Sequence, residues 1–177
     1  ITNKVKALKV GPGDKEGVEL GPLIDQDAVD KVQRLVLSAK SDGATIETGG
    51  EVLTDLGNLF YAPTVLSGVT TEMDINNDEI FGPVIAISTF ETEEEAINKA
   101  NDTPFGLASY FAAKDTARIF RVSEALEYGM VGVNTGGISH AYNPFGGIKE
   151  SGVGREGSKY GIDEYLEIKT VTLGGLG

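Results

Sequence analysis

After Pro83 the residues Val84-Ile85-Ala86-Ile87-Ser88-Thr89-Phe90 run almost without polar interruption, as a strand does when both its faces are covered in a parallel sheet. Thr92 with Glu95 three residues on is a capping box, and Ala96, Ile97 and Ala100 supply the inner face of the helix it opens. Leu107–Ala112 reads as the next strand. Asp115 caps a second helix with Ile119, Phe120, Val122 and Leu126 inward, and Met130–Asn134 returns as a strand. Strand, helix, strand in this rhythm predicts an α/β fold, a mostly parallel sheet with helical crossovers. Upstream, Ala28, Val29, Val32, Leu35, Val36 and Ala39 recur at helical spacing after Asp25, and Gly43 sits where a left-handed cap would end the helix. Short apolar runs at Ala44–Thr48 and Tyr61–Leu66 flank turn chemistry at Gly49-Gly50 and Asp55–Asn58. Tyr160–Tyr165 reads as a helical turn, and Glu167–Leu173 alternates as a terminal strand.

At 177 residues the chain fits one ordinary domain with a single core. Its 24 glycines, about twice the usual share, belong to tight turns inside a folded body. Fifteen basic against 27 acidic residues gives a net charge of −12, which opposes a phosphate backbone or an anionic membrane surface, so neither nucleic acid nor membrane is an expected partner. Zero cysteines exclude a disulfide framework, thiolate metal sites and a thiol nucleophile, and the single histidine, His140, cannot build a zinc cluster. No apolar run approaches the roughly 20 residues that span a bilayer. The start, Ile1-Thr2-Asn3-Lys4, has neither Met nor a signal-peptide core and reads as a cut within a longer reading frame. A cytoplasmic location is expected.

Three stretches could carry chemistry. Asn77–Val84 precedes the apolar strand, at a strand mouth where α/β proteins place ligands. There Glu79 could accept from ribose hydroxyls while Phe81 lies against a flat heterocycle. The plainer alternative is a turn with Phe81 in the core and Glu79 solvated. Thr135–Gly161 is a long segment dense in Gly with Asn, Pro and Ser, and a loop of that length is usually functional. Paired glycines around Phe145 let backbone approach a ligand while presenting one ring. Ser139 offers a hydroxyl to a carboxylate or phosphate, but Gly137-Ile138-Ser139-His140-Ala141 lacks the final glycine of a nucleophile elbow. The segment matches neither dinucleotide nor Walker-type loops, and His140 reads as a surface residue without an assigned role. Around Arg155 and Lys159 the acids Glu150, Glu156, Asp163 and Glu164 offer local ion pairing, which favours a structural role over an anion site.

Glu79-Ile80-Phe81-Gly82-Pro83-Val84, Asn101-Asp102-Thr103-Pro104-Phe105-Gly106-Leu107-Ala108 and Pro144–Glu156 resemble, in that order, the C-terminal blocks of the NAD(P)-dependent aldehyde dehydrogenases. Gly21-Pro22-Leu23-Ile24 and Glu167–Val171 fit the same series, so the resemblance covers nearly the whole chain. Arg155–Lys169 is most similar to the succinate-semialdehyde branch. The resemblance implies an aldehyde dehydrogenase catalytic-domain fold over 1–163 and an oligomerisation strand over 164–177. It implies that Glu79 holds the nicotinamide-ribose hydroxyls, that Phe81 packs near the nicotinamide, that Phe145 lines the aldehyde pocket and that Ser139 binds a distal carboxylate. Arg155 and Glu167 fall where family members meet across a subunit interface, and the last strand would extend a neighbour's sheet. The family's chemistry needs a cysteine thiolate, an upstream general-base glutamate and a Rossmann-type domain. All precede the region matched here, so the isolated chain is expected to be inactive, with the missing N-terminal half, a small aldehyde and NAD or NADP as partners. The chain is expected to be the distal part of a homo-oligomeric enzyme. Two alternatives stand beside that: a non-catalytic assembly module from the same family, and an independent anion-binding domain built on the Gly-rich loop.

Overall fold

The computed structural model describes residues 1–175 and 177. Where a single core is expected from length, the chain forms two compact units, Ile1–Glu91 and Thr92–Gly177.

The first unit is built on α2 (Gln26–Ser41), which follows a short α1 (Thr2–Lys6). Asp25 caps α2 by accepting from the Ala28 amide at 2.9 Å, and Gly43 takes φ +107 just past its end. The helical stripe read from the sequence is the buried face: Val29, Val32, Leu35, Val36 and Ala39 are each 1% exposed or less. Against it lies a three-stranded sheet of β1 (Thr45–Thr48), β2 (Thr64–Ser67) and β3 (Val84–Ile87), in that order, with α3 (Asp74–Asn77) between β2 and β3. β1 runs antiparallel to β2, and β2 pairs parallel with β3 in the register Thr64↔Val84 to Ser67↔Ile87. β2 begins later than the apolar run Tyr61–Leu66 because Pro63 has no N–H to give a ladder. Tyr61 instead bridges Val52 and joins the core. β3 departs from its expected burial on both faces: Ile85 and Ala86 are exposed. It is an edge strand of this sheet, so its apolar surface has no neighbour on one side.

The second unit contains α4 (Glu93–Asn101), β4 (Ala108–Phe111), α5 (Thr116–Ala125) and β5 (Met130–Val133). Thr92 accepts from the Glu95 amide at 3.1 Å and Asp115 from the Arg118 amide at 2.7 Å, so both helix starts fall where the sequence places them. β4 and β5 pair parallel across α5, from Ala108↔Met130 to Phe111↔Val133. This is the expected strand–helix–strand crossover. Phe120 is a correction: at 64% exposure it lies off the inward face, whose buried member is Val122. Thr135–Gly161 is irregular apart from a 3-10 turn at Lys149–Ser151, and a second such turn covers Asp163–Tyr165. The strand expected at Glu167–Leu173 is not formed. That segment is exposed and without regular structure, since alternation makes a strand only where an edge exists to pair with it. Among the described residues, no helix is long and apolar enough to cross a membrane.

Candidate functional site

In the first unit, residues 74–83 form a strap running from α3 to β3. Met73 and Ile75 are 4% and 3% exposed and anchor its start, while Asn77 Nδ2 donates to the carbonyls of Thr71 at 2.9 Å and Met73 at 3.1 Å. Ile80 packs against the core cluster, and its neighbours Glu79 and Phe81 are exposed. The core alternative for Phe81 fails: the ring is 76% exposed, on a backbone at φ +51 that is uncommon for an aromatic residue. Gly82 follows against the γ-methyls of Val32, where a Cβ would collide. The strap is also held from α2: Lys31 Nζ donates to the Glu79 carbonyl, and Arg34 pairs with Asp74 and Asp78. Sequence reasoning missed Lys31 and Arg34, which lie far upstream. Their one available signal was a basic pair three apart on the polar side of a helix, with an acidic stretch elsewhere to face it.

In the second unit, two of the stretches that carry the family resemblance lock onto each other. The Gly106 amide donates to Ser151 Oγ at 3.0 Å, the Ile148 amide to the Gly106 carbonyl at 3.0 Å and the Glu150 amide to the Pro104 carbonyl at 3.0 Å. Gly106 tolerates no side chain, because a Cβ would lie 2.8 Å from Ile148 Cγ1 and 3.0 Å from two backbone oxygens. Lys149 Nζ donates to the Asn101 carbonyl at 2.8 Å and pairs with Glu127 at 2.7 Å. Asn101 in turn spans the end of α5, donating to the Ala125 carbonyl and accepting from the Glu127 amide. Asn-Asp-Thr-Pro-Phe-Gly and Ile-Lys-Glu-Ser are thus two halves of one corner.

Beyond that corner Phe145 and Glu156 exchange backbone hydrogen bonds at 2.9 and 2.7 Å, which folds the Gly-rich segment back on itself. Phe145, half-buried, and Arg155 line a cleft of about 850 Å³ with Leu107, Val153, Ile162 and Tyr165. The Arg155 guanidinium donates to the carbonyls of Gly147 at 2.8 Å and Gly154 at 2.6 Å. Its structural role is met by backbone carbonyls, where the sequence offers carboxylates. Lys159 lies over the Tyr160 ring at 4.9 Å. Ser139 and Glu167 are exposed and do not line the cleft, and His140 stacks on Tyr142 with centroids 6.5 Å apart. Among the described residues, no group of three or more His, Cys, Asp or Glu side chains is placed to hold a metal ion.

Residues 1–171 match the aldehyde dehydrogenase family along nearly the whole chain. The chain belongs to that family. It is 53% identical over 98% of its length to a succinate semialdehyde dehydrogenase of Acinetobacter baylyi, covering 36% of that protein. A glutarate-semialdehyde dehydrogenase of Pseudomonas aeruginosa is 54% identical over 99% of the chain, 37% of its own length. The crystal structure of succinate-semialdehyde dehydrogenase from Burkholderia pseudomallei superposes with a TM-score of 0.90 at 52% identity, over 93% of this chain and 34% of that one. This aldehyde dehydrogenase chain therefore has the family's α/β fold and spans about a third of the length of these relatives.

Proposed function

We propose that the chain is the distal part of an NAD(P)-dependent semialdehyde dehydrogenase, its first unit contributing cofactor-facing side chains and its second unit aldehyde-facing ones to an enzyme completed by sequence outside it. The observation that carries this reading is the strap: a carboxylate and an aromatic ring, both exposed, flank a residue packed into the core. That donor set fits a ribose and a flat nicotinamide, because Glu79 can accept from a diol while Phe81 offers a face. The cofactor, when bound, accepts hydride from the substrate-derived carbon. Glu79 would orient the ribose, and Phe81 would limit how far the ring can swing. Phe145 would contribute an apolar wall for the aldehyde, and the Ser139 hydroxyl would donate to a distal carboxylate. With no cysteine in the 177 residues, a thiolate nucleophile must come from elsewhere, so the chain alone turns over no aldehyde. The choice between NAD and NADP rests outside these residues. A cytoplasmic setting is part of the same reading.

Supplying the remainder of the reading frame in co-expression tests it: NAD(P)-dependent oxidation of succinic semialdehyde is expected. A soluble complex without activity would overturn the proposal. A second reading, a non-catalytic assembly module, draws on the exposed tail, where Ile168, Val171 and Leu173 are 100%, 70% and 75% exposed. That alternation suits pairing with another subunit's sheet edge through Glu167 onward, with Arg155 near the interface and a homo-oligomer as the product. Unchanged oligomer mass on mixing with a full-length relative would reject it.

A further inference from the structure

Resting on the reading of Glu79 as the ribose-binding carboxylate, we propose that Arg34 is a positioning residue for the cofactor arm. Its fork on Asp74 and Asp78 fixes the chain just before Glu79, while Val32 beneath Gly82 fixes it just after. The strap has to present two exposed side chains in a set direction, and exposed side chains supply no packing of their own to hold them. Arg34 uses separate nitrogens for the two acids, Nη1 at 3.7 Å from Asp74 and Nη2 at 3.5 Å from Asp78. Asp74 opens α3 and Asp78 directly precedes Glu79, so one planar group ties both ends of the short helix to α2. A lysine would have to serve both acids from a single nitrogen, without the fork's fixed geometry.

On the far side, the Val32 side chain is fully buried and fills the space under Gly82. Between these two points lie Lys31 on the Glu79 carbonyl, Ile80 in the core, and Phe81 in a left-handed conformation. Strain at one backbone position persists only where its surroundings determine it from both sides. The Arg34 pairs are half-exposed, with the arginine side chain at 56%, so their effect is modest and salt-sensitive.

The test joins this chain to the rest of its reading frame and compares Arg34→Ala, Arg34→Lys and Glu79→Gln. NADH affinity is read by fluorescence titration without aldehyde, and KM for the aldehyde is read separately. Amide exchange at 79–82 is followed by mass spectrometry in the chain as it stands. Arg34→Ala is expected to weaken NADH binding about two- to fivefold, the equivalent of an exposed ion pair. The aldehyde KM should hold, and exchange at 79–82 should quicken while Val32–Ala39 stays protected. Arg34→Lys should recover part of the loss, and raised salt should erase the difference from the parent. Unchanged NADH affinity in Arg34→Ala, or a parallel rise in the aldehyde KM, would overturn the proposal if Glu79→Gln does weaken NADH binding. If Glu79→Gln binds NADH normally, the ribose reading fails, and unaltered exchange at 79–82 in Arg34→Ala would then remove the brace as well.

Discussion

Tyr61 is 1% exposed within the core cluster, and its hydroxyl is buried without a hydrogen-bond partner. Burial, with a smaller contribution from Glu51, pushes the phenol from 10.0 up to about 12. A raised folded value means the neutral form is held by folding. That stability is complete below the unfolded value and is lost as pH climbs between 10.0 and about 12. Tyr61→Phe should flatten this alkaline loss in chemical denaturation and cost little at neutral pH, since the hydroxyl removed had no partner to orphan. Glu93 shows the opposite sign. Hydrogen bonds from Arg121 and Arg118 at 2.7 and 2.8 Å hold its carboxyl below the usual range, the Arg121 bond acting most strongly. The contribution is present above the unfolded carboxyl value and disappears as pH falls through the lower folded one. A melting-temperature gap between Glu93→Gln and the parent should therefore narrow as pH falls below the ordinary carboxyl value of 4.5. Gly82→Ala drives a methyl into Val32, and a denaturant midpoint should show about 1–3 kcal/mol lost.

The helices show what a short window of sequence can settle. Asp25, Thr92 and Asp115 each stand three residues before the amide they cap, so capping geometry is written in local spacing. Asp115→Ala removes the cap of the crossover helix, and far-UV melting should report about 1 kcal/mol less stability. Phe120 is exposed where Ile119 is half-buried: both fit the apolar side of a short helix, and only tertiary packing decides which is covered. The terminal segment follows the same logic: Glu167–Leu173 has strand periodicity, but periodicity describes faces, and the lone chain supplies no hydrogen-bonding neighbour for it. In the candidate site, Glu79, Phe81 and Phe145 were legible as residue types in glycine-flanked context. Arg34, Lys31 and the Lys149–Asn101 link were not, since their partners lie 44, 48 and 48 residues away.

Across the whole molecule, the deeply packed core belongs to the first unit, while Ile85, Phe105, Tyr110, Phe120 and Tyr165 are among the large apolar side chains left exposed. Uncovered apolar surface of this kind suits a covering partner, which in the proposed function is the remainder of the enzyme. We expect it to bind a hydrophobic dye strongly on its own and to lose most of that binding when co-purified with the rest of the reading frame. Equal dye binding in both states would count against a missing covering segment. At a net charge of −12 copies of the chain repel one another, so raised salt should promote self-association visible by light scattering.

What the residues settled unaided were quantities with a local cause: helix starts from capping side chains, the buried stripe of α2 from its 3.6-residue period, the parallel β4–α5–β5 crossover from strand–helix–strand rhythm. Charge and the absence of cysteine narrowed the chemistry its own side chains offer: no thiolate, and little to attract a phosphate backbone. Tertiary structure alone decided that Gly106 must be bare, that Arg155 serves carbonyls, and that Arg34 reaches back to brace the residues beside Glu79. Those facts depend on groups distant in sequence meeting within a few ångströms, and a linear pattern carries no term for such a distance until the chain has folded.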